Sequence, residues 1–231
     1  MSRPWIVTPH KPLQQLESNL WCLESQVPGS PANRRMSIVR TSDGGLVFYH
    51  AVPMDEPTLE KVRSLGTPRA LVIGHHQHGI DAEPFAAKLG IGIYGPDVIE
   101  ARMRKRWPML AGNISALPKD PWCRFEALDG TRWGEPVEIV TSGDKVSLVW
   151  CDAFVANDDA DLPFMSRVLG FGGGPRVIPM FKWFLTSDVR KLKAHLEQLA
   201  ALPGLTHLVA CHGKIVSEDA PGVLRRAAAA L

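Results

Sequence analysis

The chain has 231 residues, of which 45% are apolar and 22% charged, and its formal net charge is +2. This composition is that of a globular protein and excludes the disordered, collagen-like and coiled-coil classes. The near balance of charge argues against a protein that works mainly by coating nucleic acid or an anionic membrane.

The first quarter of the chain is predicted to contain three strands and a helix. Residues 1–34 are expected to form an N-terminal arm and the first strand, Leu20–Leu23. Two further strands, Met36–Arg40 and Leu46–Ala51, flank an aspartate–glycine turn, which is the usual signal of a β-hairpin. Beyond the hairpin the apolar residues recur at helical spacing, and we expect that helix to end at Gly66.

Strands and helices then alternate along the chain. The continuous apolar run Ala70–Ile73 predicts a buried central strand. We expect a helix over residues 82–89, a strand over residues 91–94 and a helix over residues 96–106. This alternation predicts an α/β layered fold. Residues 107–135 are predicted to be irregular, because proline, glycine and tryptophan are scattered through them.

The second half of the chain begins with a predicted pair of strands, Val137–Val140 and Val146–Trp150. The segment 157–185 is expected to hold a short helix. Its glycine-rich run, Gly170–Pro175, lacks the spacing of a phosphate-binding loop, so we interpret the run as a flap.

An amphipathic helix, a strand and a last helix are predicted to complete the chain. A cap at Thr186 or Ser187 starts the first helix, the strand covers Leu205–Ala210, and the last helix runs through Leu224. No internal repeat or long linker divides the chain, so we predict a single domain over residues 1–231.

The cysteines and the N-terminal sequence indicate the cellular compartment of the protein. The four cysteines are far apart and form no CxxC pair, so we expect reduced, buried thiols rather than a disulfide framework. The N-terminus lacks a signal-peptide pattern, and no apolar run is long enough to cross a bilayer. These features predict a cytoplasmic protein that does not associate with a membrane.

The strongest signal for chemistry is a histidine-rich loop after the predicted strand Ala70–Ile73. It contains His75, His76 and His78, with Asp81 close behind. Ligands in α/β proteins bind beyond the carboxyl ends of strands, and imidazole and carboxylate are ligands of divalent metals. Histidines that cap the next helix or face water are the alternative, but three beside a carboxylate favour a site.

Three other residues share that position in the predicted topology. Asp152 and His212 each follow closely after a predicted strand, and His50 follows an earlier one. His50 is a weaker candidate, because a buried imidazole with satisfied hydrogen bonds is equally consistent with its position. Together the strand ends supply the ligand types of a divalent-metal hydrolase.

This order of motifs resembles the metallo-β-lactamase superfamily over roughly residues 35–231, and within it an uncharacterised, divergent branch. His76 and His78 match the first pair of the family's HxHxDH motif. Asp152 matches the bridging aspartate, and His212 lies in a turn like the family's Gly-His-Gly. The resemblance implies a four-layer αββα sandwich with two mixed β-sheets.

The motif is incomplete, which bears on the metal that the resemblance implies. The family's aspartate and next histidine fall on Ile80 and Asp81, and no histidine occurs between His78 and His195. We therefore expect one divalent ion rather than two, preferably zinc, with iron or manganese as alternatives. Its candidate ligands are His76, His78, Asp81, Asp152 and His212, with His75 and His50 as additional candidates.

The resemblance implies a metal-dependent hydrolase in which an activated water attacks an ester, amide, thioester or phosphoester of a small molecule. Asp81 and Asp152 are the candidate catalytic residues. A non-catalytic protein that keeps the fold for ligand binding or assembly is the alternative. An RNA-processing nuclease is a second alternative, based on basic residues at 102–106. We interpret those residues as a solvated helix end and do not favour a nucleic-acid partner.

Overall fold

The computed structural model describes residues 4–29, 32–158, 162, 167, 172–178 and 181–231. The chain divides into two compact units, residues 1–124 and residues 125–231. The single domain expected over residues 1–231 stays a prediction.

The first unit is built on a seven-stranded mixed sheet whose strands lie in chain order. Its strands are β1 (Gln14–Glu17), β2 (Leu20–Gln26), β3 (Asn33–Arg40), β4 (Gly45–Tyr49), β5 (Thr67–Val72), β6 (Gly92–Gly95) and β7 (Leu110–Asn113). Strands β1 to β4 form an antiparallel meander, and β4 to β7 run parallel. Every residue of β4 is buried, as expected of a central strand with both faces covered.

Helices connect the parallel strands of this sheet. They are α1 (Glu56–Leu65), α2 (Ala82–Leu89) and α3 (Glu100–Arg106). Helix α1 begins at Asp55, whose side chain accepts a hydrogen bond from the amide of Thr58, and α2 ends at Gly90 in a left-handed conformation. Because β4 and β5 are parallel neighbours, the loops that follow them start at the same edge of the sheet.

The strands of the second sheet are β8 (Cys123–Ala127), β9 (Pro136–Ser142), β10 (Lys145–Trp150), β13 (Leu205–Ala210) and β14 (Ile215–Val216), and a separate ribbon is formed by β11 (Val155–Asn157) and β12 (Gly174–Arg176). The order of the five strands across the second sheet is β14-β13-β10-β9-β8. Strand β10 is antiparallel to β9 and parallel to β13. The sheet is therefore mixed, like the first.

Two helices, α4 (Val189–Ala200) and α5 (Ala220–Ala229), contribute to the core of the second unit, and a π-helical turn, Phe181–Leu185, precedes them. Their apolar side chains pack with those of the sheet around Trp150 and Phe154. Helix α4 starts at Asp188, whose carboxylate accepts hydrogen bonds from two amides of the first turn. The cap predicted at Thr186 or Ser187 was therefore placed too early.

The main difference from the predicted elements lies in residues 107–135. This segment was predicted to be irregular, and that was wrong, because β7 and β8 lie within it. The short helix expected in residues 157–185 falls largely outside the described residues. Gly170 and Phe171 of the predicted flap also lie outside them, whereas Gly174 and Pro175 belong to β12.

The four cysteines are buried and carry free thiols, as predicted. Among the described residues, no helix combines the length and apolar character that a membrane crossing requires.

Candidate metal centre

The histidine-rich loop begins at the carboxyl end of β5. Its backbone forms a turn in which the amide of His78 donates to the carbonyl of His75 at 2.9 Å. The two rings lie 5.6 Å apart between centroids. The following residue is Gly79, where a Cβ would lie only 2.6 Å from Cζ2 of Trp107. Only glycine fits at this close approach, so the sequence holds the loop against the Trp107 ring.

His50 follows β4 and is joined to the same edge of the sheet. Its amide donates to the carbonyl of Val72 at 2.9 Å, and its φ of 68° lies in the left-handed region, which is uncommon for a residue with a side chain. Its ring stacks on Tyr49 with centroids 4.2 Å apart. The Nδ1 atoms of His50 and His78 are 3.0 Å apart. The structure therefore brings this additional candidate next to a predicted ligand.

The pairing of His50 and His78 fits a transition metal. Two neutral imidazole nitrogens at 3.0 Å can form a hydrogen bond in which one donates and the other accepts. Two nitrogens bound to one tetrahedral zinc ion at about 2.1 Å would lie roughly 3.4 Å apart. For both Nδ1 atoms to bind an ion, the donating ring would carry its proton on Nε2 instead, and the spacing would change only slightly.

His76 is half-buried in the same loop, with its ring 6.3 Å from that of His75. Burial lowers the pKa of His76, and the charges of His75, Arg102 and Arg106 lower it further. The imidazole is therefore neutral at pH 7, which is the form that binds metal.

Asp81, at the start of α2, lies in a different environment from the histidines. Its Oδ2 atom is 2.6 Å from a terminal nitrogen of Arg34, and both side chains are buried. The carboxylate makes no capping hydrogen bond to the helix. Asp81 therefore neutralises a buried guanidinium, and its predicted metal-binding and catalytic roles stay predictions.

In the second unit, β10 and β13 bring Asp152 and His212 together. These strands are parallel neighbours in register, and the residues that follow them start at one edge of the sheet. His212 Nε2 lies 3.5 Å from Asp152 Oδ1. Burial acts to lower the pKa of His212, but Cys211 and Asp152 outweigh it and raise that pKa well above its ordinary value. Two predicted site residues therefore form a pair.

The glycine after His212 explains how this turn is fixed. Gly213 has a φ of 93°, and a Cβ there would lie 2.2 Å from the carbonyl carbon of Ala156. The amide of Ala156 donates to the carbonyl of His212, and the amide of Lys214 donates to that of Ala156. Glycine is therefore required after His212 by the close approach to β11.

Glu135 is a buried residue that the sequence reasoning missed. Its carboxyl accepts a hydrogen bond from the amide of Ala153 at 2.8 Å. Burial and the negative charge of Asp152 raise the pKa of Glu135 well above its ordinary value. Burial, Asp152 and Glu135 likewise raise the pKa of the Cys151 thiol. A lone glutamate between a glycine and a proline carries no signal for such a role.

Each unit supplies pairs of candidate ligands rather than a complete shell. Taken separately, neither unit brings three described His, Cys, Asp or Glu ligand atoms within 4.8 Å of one another. The first unit pairs His50 with His78, and the second pairs Asp152 with His212.

No protein-family model and no curated protein matches the sequence, but solved structures match its fold. The DIM-1 metallo-β-lactamase is 13% identical, with a TM-score of 0.64 and coverage of 97% of this chain and 99% of that one. The metallo-β-lactamase of Erythrobacter litoralis is also 13% identical, with a TM-score of 0.61 and coverage of 95% and 96%. The chain has the metallo-β-lactamase fold.

A metallo-β-lactamase of Hirschia baltica agrees, at 15% identity and a TM-score of 0.59, with coverage of 94% of this chain and 98% of that one. The predicted metallo-β-lactamase-like fold class, with its two mixed sheets and helices, is therefore confirmed. At this level of identity the likeness concerns the fold alone, since one fold can carry unrelated activities.

Proposed function

We propose that this metallo-β-lactamase-fold chain is a metal-dependent hydrolase that binds one divalent ion per chain, preferably zinc, with iron or manganese as alternatives. The observation that carries the proposal is the pair of imidazoles, His50 and His78, at the ends of two parallel strands. The strained φ of His50 supports it, because strained backbone is often kept for function.

Each unit offers its own candidate ligands. The first unit offers His50, His76 and His78, and the second offers Asp152 and His212. Neutral imidazoles and carboxylates are donors that suit zinc. His212 must lose a proton before it can act as such a donor, because its pKa is raised well above the ordinary value. Asp81 stays a predicted ligand, although its carboxylate is already paired with Arg34.

The proposed chemistry is attack of water on an ester, amide, thioester or phosphoester of a small molecule. The ion, when bound, supplies Lewis-acid polarisation and lowers the pKa of water toward about 7. The Asp152 carboxylate accepts the proton of the attacking water. His212, 3.5 Å away, orients that carboxylate. A cytoplasmic location, where thiols stay reduced, is part of the proposal.

Hydrolysis assays test this function. We expect the zinc-loaded protein to hydrolyse at least one member of a panel of carboxylic, thio- and phosphoesters. Asp152→Asn should lower kcat/KM by about 100-fold or more, the usual effect of losing an acid–base group. His78→Ala should lower it comparably, because it removes a proposed ligand of the ion. His207→Ala is the matched control, because His207 lies on β13 and bonds Ser217, and its activity should stay close to that of the parent.

Two results would contradict the proposal that the protein is a hydrolase. One is that no substrate of the panel is hydrolysed in the presence of zinc, manganese or iron. The other is that His78→Ala and Asp152→Asn are as active as His207→Ala.

A non-catalytic ligand-binding protein is the second candidate. It is favoured by the lack of any histidine between His78 and His195 and by the ion pair that holds Asp81. Ligand or metal binding without turnover in the same panel would support this alternative over the hydrolase.

A further inference from the structure

Helix α3 carries two cations whose charge no described carboxylate compensates. Arg102 and Arg106 are exposed and lie one helical turn apart on one face. Neither has a carboxylate at ion-pair distance in the part of the chain that the structure describes. Arg104 differs, because it binds Glu100 at 2.8 Å and donates to a backbone carbonyl.

Contacts place this face beside the histidine-rich loop. The Arg106 guanidinium lies 5.2 Å from the ring centroid of Trp107. The same ring lies against Gly79, where it leaves no room for a Cβ. Arg106 and the loop are therefore both next to the Trp107 ring. The charges of both arginines also reach His76, where they help to lower its pKa.

We propose that Arg102 and Arg106 form an anion-binding subsite beside the histidine-rich loop, which receives a phosphate or carboxylate group of the substrate. The inference rests on the proposed function and adds a substrate class to it, namely small molecules that carry an anionic group. Guanidinium groups suit this role because their paired N–H donors match the oxygens of phosphate and carboxylate.

The helix dipole accounts for only part of this arrangement. Cations in the last turn of a helix are stabilised by its negative end, and Arg104, Lys105 and Arg106 lie in that turn. Arg102 lies outside it.

A small anion fits the surface better than RNA. The whole chain has a net charge of only +2, whereas RNA-binding surfaces spread many cations along a strand.

Calorimetric titration with inorganic phosphate and, separately, with acetate tests the subsite. The protein is first treated with a chelating resin, so that no metal contributes, and low ionic strength is used. We expect phosphate to bind the parent, because a dianion gains more from two guanidinium groups than acetate does. Arg102→Gln and Arg106→Gln should each weaken binding about 5- to 10-fold, as expected for loss of a charge-assisted hydrogen bond.

Lys105→Gln is the matched control, since it removes one positive charge from the same exposed helix. Its affinity should stay within about twofold of the parent. If acetate binds more tightly than phosphate, and Arg102→Gln and Arg106→Gln again bind more weakly than Lys105→Gln, the subsite is assigned to carboxylates.

Equal weakening in all three variants, or no binding of either anion, would overturn the subsite. Binding of an oligoribonucleotide without binding of either small anion would overturn it too. Because the titration is free of metal, phosphate binding without any hydrolysis would contradict the proposed function and leave the subsite in place.

Discussion

The ion pair between Arg34 and Asp81 has both side chains more than nine-tenths buried. Removal of one member of such a pair leaves an uncompensated charge away from water, which costs far more than loss of an exposed pair. The Asp81 carboxylate therefore contributes to the stability of the fold, although its position close to the histidine-rich loop also predicts a metal-binding or catalytic role.

We expect Asp81→Asn to lower the free energy of unfolding by about 3 kcal/mol, because Arg34 would be left buried and unpaired. Glu56→Gln is the control, since Glu56 forms exposed pairs with Arg63 and Lys88, and it should cost less than about 1 kcal/mol. Urea denaturation measures both values. Equal losses for the two variants would contradict the assignment of Asp81.

The second prediction at this scale concerns Gly213. An added Cβ there would meet the carbonyl carbon of Ala156, so Gly213→Ala should displace the turn that carries His212. We expect the free energy of unfolding to fall by about 3 kcal/mol or more, because backbone strain and overpacking both destabilise the variant.

Gly143→Ala separates the two contributions to that loss. Gly143 also has a positive φ, 67°, but a Cβ there meets open space. Gly143→Ala should therefore lower the free energy of unfolding by only about 1–2 kcal/mol, from the backbone conformation alone. Comparable urea denaturation curves for the two alanine variants would show that the contact with Ala156 is not tight.

At the scale of elements, helix α4 depends on a charged cap. The Asp188 carboxylate accepts hydrogen bonds from the amides of Lys191 and Arg190, and these bonds lower its pKa below the ordinary value of 3.8. A lowered pKa in the folded state means that the cap stabilises the protein above the unfolded pKa. That stabilisation is lost as pH falls through the folded pKa.

We therefore expect Asp188→Ala to lower Tm at pH 7 and to have progressively less effect below about pH 4. Ser187→Ala is the control, because Ser187 lies at one of the two cap positions predicted from the sequence. Its Tm should match the parent at both pH values. Thermal melts at pH 7 and pH 3 measure the effect, and a pH-independent loss would show that Asp188 does not act as a charged cap.

The elements that were predicted correctly are those with a strong apolar pattern. Strand β5 has a continuous apolar run, and α2 ends at Gly90 as its sequence indicated. Strands β7 and β8 were missed because glycine, asparagine and charged residues interrupt their patterns. They are held by their neighbours in the sheet rather than by local preference, which a sequence pattern does not record.

At the scale of the whole molecule, the sequence order of the motifs predicted the metallo-β-lactamase fold that the solved structures confirm. The site residues stay predictions, although the structure places Asp152 and His212, which were predicted at neighbouring strand ends, 3.5 Å apart. The partners of Asp81 and Glu135 were not predictable, because Arg34 and Ala153 lie on other elements and only folding brings them near.

The central claim is that the paired imidazoles belong to a metal site, and elemental analysis of the purified protein tests it most directly. We predict about one equivalent of a transition metal in the parent and in His207→Ala. His78→Ala should lose most of it, and so should His212→Ala. A parent protein that stays metal-free after incubation with zinc, manganese and iron would contradict the account, as would full metal content in His78→Ala.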